Sequence, residues 1–149
     1  VRTTTAMLAD LGLVALGGTL GTLGRYGLSE ALGEVAGLPF GVLIINLSGA
    51  FLLGALLEAL ALRGTDTGAR RITRLLLGTG VLGGYTTYSL LATDIALMLG
   101  QGEVLAGTAY GVLTLVLGGI ASWLGILAAK KLRRPGLSSA KPTTTEAVS

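Results

Sequence analysis

Among its 149 residues the chain has no cysteine and no histidine. That excludes disulfides, thiolate or imidazole metal ligands and histidine-based catalysis. It also has few charges (13%) and few aromatics (5%), and no glycine-lysine loop of the kind that cradles nucleotide phosphates. Catalysis would fall to Glu58, Asp94 or a Ser/Thr with no evident activating base, so an enzyme is not expected. The pI near 9.6 raises nucleic acid as a partner, but scarce aromatics and the lack of a compact basic fold argue against it. Apolar residues fill the chain instead, at 51% with a mean hydropathy of +0.76. This is the composition of a membrane protein.

Four apolar stretches, about 8–29, 39–62, 72–99 and 104–129, reach the length needed to cross hydrocarbon. The first follows Arg2 much as a secretory signal would. No small-residue cleavage site closes it, and its glycine pattern runs on through Arg25-Tyr26, so it reads as a span. The expected fold is an all-α membrane protein. Residues 1–131 form a four-helix transmembrane unit, and 132–149, rich in Ser and Thr, form a disordered tail.

With four spans, both termini and the 63–74 loop share one side. That side carries Arg2, Arg63, Arg70, Arg71, Arg74, Lys130, Lys131, Arg133, Arg134 and Lys141. The opposite loops carry Glu30, Glu34 and Glu103 and no Lys or Arg. Lys and Arg loops stay cytoplasmic, which predicts a multi-pass protein of the cell membrane with both termini inside.

Small residues recur in helical register, at Gly17 and Gly21 and again at Gly107 and Gly111, as close helix packing in a bilayer requires. Arg25 continues the first of these faces. It is either a buried anchor or a side chain that snorkels to the interface. Polar residues also fall in stripes: Asn46, Ala50, Gly54 and Glu58 in the second span, Tyr110, Thr114, Gly118 and Ser122 in the fourth. In the third, Thr86, Ser89 and Thr93 share a face, with Asp94 beside them. Together they can line a narrow path of hydrogen-bond donors.

The third span holds the most informative segment, Gly83-Gly84-Tyr85-Thr86-Thr87-Tyr88-Ser89. Glycine is flexible, and Ser and Thr compete for backbone hydrogen bonds, so a helix break is expected there. Backbone groups freed at bilayer depth must be buried in protein, bind an ion or face a wet cavity. Two readings stay open, an ion site and a packing kink between closely spaced helices.

Four blocks in this order resemble the Fluc/CrcB fluoride channel family over about residues 12–130. They are Gly17-Gly18-Thr19-Leu20-Gly21-Thr22-Leu23-Gly24-Arg25-Tyr26, Asn46-Leu47-Ser48-Gly49-Ala50-Phe51-Leu52-Leu53-Gly54, Gly80-Val81-Leu82-Gly83-Gly84-Tyr85-Thr86-Thr87-Tyr88-Ser89, and Tyr110 and Thr114 followed by Gly118, Ala121, Trp123 and Gly125. The resemblance implies an antiparallel dimer of four-helix subunits with two fluoride pores that carry passive efflux. It also implies a structural, untransported Na+ on the backbone carbonyls of Gly83 and Thr86. The implied pathway draws on Asn46, Tyr88, Ser89, Leu91, Asp94, Tyr110 and Thr114, with Arg25 as structural anchor.

Departures from the family pattern fall in the third span. Tyr88 and Leu91 stand where the family has two phenylalanines, Leu90 and Ala92 where it has hydroxyls, and Asp94 where it has glutamate. An antiparallel homodimer needs balanced loop charge, so the one-sided charge here points to an oppositely oriented paralogous partner. Two alternatives compete. A small four-helix drug or cation exporter needs an embedded carboxylate in its first span, and none occurs between Leu11 and Ser29. The other is a subunit that only packs against its partner, with one pore not conducting.

Overall fold

The computed structural model describes residues 3–33 and 39–132, and every regular element among them is helical. The expected tail lies outside these residues apart from Leu132, as do Arg2, Glu34, Arg133, Arg134 and Lys141. The elements are α1 (Thr4–Leu32), α2 (Phe40–Ala61), α3 (Gly68–Thr73), a π-helical run (Arg74–Leu82), α4 (Gly83–Tyr85), α5 (Tyr88–Gly100) and α6 (Val104–Leu132). They make four segments long and apolar enough to cross a bilayer: Thr4–Leu32, Phe40–Ala61, Gly68–Gly100 and Val104–Leu132. The first, third and fourth extend past at least one of their expected limits, and the second falls one residue short at each end.

The third segment crosses the bundle. Its first half, the π-helical run and α4, packs on α1; its second half, α5, packs on α6, while α2 lies along α6. Glycine permits this. A side chain at Gly17 would collide with the Leu76 carbonyl and sit 2.9 Å from Gly80 Cα, and one at Gly21 would meet the Val81 carbonyl. On the α2–α6 seam, Gly54 faces the Ser122 carbonyl and Gly125 faces the Phe51 carbonyl. Gly107 and Gly111 lie against Met98 and Ile95 of α5. Lipid removes the hydrophobic drive between helices, so such backbone contacts carry the packing.

The buried apolar cluster is correspondingly small: Val42, Leu91, Met98 and Tyr110, flanked by Leu43, Leu90 and Ile95. Large apolar side chains such as Leu11, Leu23, Val112, Leu115 and Trp123 point outward instead, the inverse of a water-soluble bundle.

Ion pairs gather at the end that holds the 63–74 loop. Arg71 binds Asp10, Arg74 reaches Asp66 at 2.7 Å, and Lys130 lies 3.8 Å from Glu58. Arg70 closes that loop by donating to the Thr65 and Arg63 carbonyls at 2.7 and 2.8 Å. Nothing in the periodicity anticipates the nine-residue π-helical run. Its Gly78 and Gly80 weaken α-helical preference, and Gly80 presses directly on Gly17.

Candidate functional site

The helical path of the third segment is interrupted where glycine and threonine weaken it. α4 ends at Tyr85, and Thr86 (φ −76°, ψ 154°) and Thr87 (φ −150°, ψ 120°) are extended before α5 resumes at Tyr88. The Thr86 N–H and its hydroxyl both donate to the Leu82 carbonyl at 3.0 Å, which closes the first half.

Thr87, buried with 6% exposure, then redirects two amides. In a continuous helix its own N–H would return to the Gly83 carbonyl. It donates instead to Asn46 Oδ1 at 2.8 Å, while Asn46 Nδ2 donates to the Thr87 carbonyl at 2.9 Å. The Leu90 N–H would likewise reach the Thr86 carbonyl. It donates instead to Thr87 Oγ1 at 3.2 Å, the N-cap bond of α5. The Gly83 and Thr86 carbonyls have thus lost the donors that a continuous helix would supply. A Cβ built on Gly83 meets only the Gly78 carbonyl, at 3.9 Å, so this face of the subunit is open.

Beside the break lies a cavity of about 360 Å³ lined by Asn46, Thr86, Tyr88, Thr114, Gly118 and Ser122 among others. It joins the polar stripes of the second and fourth spans to the break in the third. Thr114 is nearly sealed within the subunit (4% exposed), its hydroxyl donating to the Tyr110 carbonyl at 2.8 Å. Tyr88 is 72% exposed, and the Ser89 hydroxyl lies 3.0 Å from Thr87 Oγ1.

The other implied residues lie elsewhere. Leu91 and Tyr110 belong to the buried apolar cluster, with the Tyr110 hydroxyl donating to the Pro39 carbonyl at 3.1 Å. Asp94 lines a separate cavity of about 200 Å³ with Ser29, Pro39 and Leu90. Arg25 is half-buried, and its Nε is shielded from solvent with no hydrogen-bond partner among the described residues.

Sequence reasoning passed over Thr87, although a threonine just ahead of a resuming apolar helix is a recognisable N-cap signal. Its partner Asn46, 41 residues away, has no local signature. Among the described residues no three His, Cys, Asp or Glu side chains gather into a group that could hold a metal ion.

The family model described as CrcB-like protein, Camphor Resistance (CrcB), matches residues 12–126. The chain is 46% identical over 121 residues to the fluoride-specific ion channel FluC 1 of Cutibacterium acnes, covering 80% of this chain and 85% of that protein. It is 48% identical over 114 residues to the fluoride-specific ion channel FluC 2 of Leifsonia xyli subsp. xyli, covering 76% and 79%. Against the fluoride-specific ion channel FluC of Gloeobacter violaceus the identity is 40% over 131 residues, covering 85% of this chain and all of that protein.

Proposed function

The chain belongs to the CrcB family, and from that premise we propose that it is a fluoride-specific channel subunit, not an enzyme. It carries fluoride passively out of the cell. Fluoride that enters as neutral HF dissociates at cytoplasmic pH and leaves down its gradient. The observation that carries this reading is the cavity that gathers Asn46, Tyr88 and Thr114 beside an interrupted helix.

Fluoride is small and strongly hydrated, so a narrow path must replace its water with donors that hold it weakly enough to release. Asn46 has two amide hydrogens and gives one to Thr87, which leaves one for an anion. The Tyr88 hydroxyl can also donate, and the Thr114 hydroxyl can once it turns from the Tyr110 carbonyl. The family pattern also assigns Ser89, Leu91, Asp94 and Tyr110 to the pathway and Arg25 as a structural anchor, while within this subunit Leu91 and Tyr110 sit in the buried apolar cluster and Asp94 in a separate cavity.

The working unit is an antiparallel dimer, and its break holds a structural Na+. The fit rests on carbonyl chemistry: Gly83 and Thr86 offer neutral oxygens without helix donors, which suit a hard monovalent cation. When bound, the ion would be held by the Gly83 and Thr86 carbonyls and would supply a positive charge that helps join the two subunits. Both termini face the cytoplasm, and the partner is a related chain of opposite charge bias. A subunit in which one pore does not conduct is favoured by Leu91, which has no ring edge to face an anion and is buried in the apolar cluster.

The test is fluoride efflux from liposomes containing this chain alone and then with its paralogous partner, with chloride as the control. Chloride flux equal to fluoride flux in every combination overturns selective conduction.

A further inference from the structure

We infer that Thr87, acting with Asn46, is the positioning residue that keeps the Gly83 and Thr86 carbonyls out of helical hydrogen bonding. The reading rests on the cation role proposed for those carbonyls, and it adds a residue to which that role assigned nothing.

The geometry is a pair of diversions centred on one side chain and its backbone. Asn46 presents an amide with the donor and acceptor of a peptide group. It pairs with both backbone groups of Thr87, at 2.8 and 2.9 Å, as a neighbouring strand would. That pairing holds Thr87 extended and diverts the N–H that a continuous α-helix would close on the Gly83 carbonyl. The Thr87 hydroxyl takes the Leu90 N–H, which could otherwise close on the Thr86 carbonyl. Thr87 is buried, so water does not readily replace either partner. If either bond is removed, the cheapest repair is to rewind the helix across the break, which returns a carbonyl to ordinary helical bonding. Asn46 also lines the cavity beside Thr114. The same side chain therefore touches both the break and the path.

The test uses the assembled channel and four variants: Thr87→Val, Thr87→Ser, Asn46→Ala and Thr114→Val. Two readouts are taken, amide hydrogen exchange of a peptide covering residues 86–92 and the sodium concentration that half-protects the dimer from thermal dissociation. Thr87→Val and Asn46→Ala should change exchange across the break and raise the sodium requirement at least about tenfold, equivalent to ~1.4 kcal/mol. Thr87→Ser should restore both values, and Thr114→Val should move neither. Unchanged exchange in Thr87→Val and Asn46→Ala overturns the positioning role. Altered exchange with an unchanged sodium requirement overturns its link to the cation. A wild-type channel indifferent to sodium overturns the cation reading itself, and exchange alone then decides whether Thr87 braces the break.

Discussion

Arg71 donates to the carboxylate of Asp10, tying the start of the third segment to the first helix. Asp10 is an acid in the first span of a small four-helix protein, and an exporter would place an essential carboxylate there. Here that acid is committed to an arginine at the loop end of the bundle.

Asp10→Asn should therefore leave fluoride flux near wild type and cost about 1 kcal/mol of stability, the scale of a partly exposed ion pair. Liposome efflux together with a thermal unfolding midpoint checks it. Complete loss of transport in a folded protein would instead favour an exporter.

Thr114→Val removes a hydroxyl at nearly constant volume from the wall of the cavity. Fluoride flux should fall about tenfold or more, on the scale of one lost hydrogen bond to a charged group, while the dimer survives. Asn46→Ala should cut flux as well. Because it strips both backbone groups of Thr87, it should also weaken assembly, which size-exclusion chromatography will detect.

Gly83→Val separates the subunit from the dimer. Within one subunit the added side chain meets little, the nearest atom being the Gly78 carbonyl at 3.9 Å. Helical content by circular dichroism should be preserved while dimerisation weakens. A fully stable dimer carrying valine there would argue against a cation site at this face.

Gly17→Val should fail outright, because its Cβ enters the Leu76 carbonyl and crowds Gly80. Overpacking of this kind costs about 3 kcal/mol or more. Gly12→Ala on the same helix meets nothing within 4 Å and should express as wild type.

Topology mapping of the chain expressed alone should find one orientation, with the 63–74 loop inside. The pairs with Asp10, Asp66 and Glu58 do not weaken this, because Lys and Arg set orientation while acidic residues contribute little. Comparable amounts of both orientations, with full fluoride conduction and no partner, would show a dual-topology homodimer.

Composition and periodicity alone dictate the four apolar segments, the absence of thiol and imidazole chemistry, and the small-residue faces of the first and fourth spans. These are local properties, set by each segment's own length, hydropathy and side-chain size. The glycine-threonine segment is legible for the same reason, since its weak helical preference is intrinsic. Its neighbours in space are not. That α5 leaves α1 to pack on α6, that nine residues adopt a π-helix, and that Leu91 and Tyr110 share a buried cluster all depend on how the segments meet. The break shows the difference most clearly. Sequence makes the helix weak at Thr86 and Thr87, but only the fold brings Asn46 within 2.9 Å, 41 residues away, to take up the freed amide and carbonyl of Thr87. Hydrogen bonds between distant segments leave no periodic trace, because their partners are matched by packing and not by spacing along the chain.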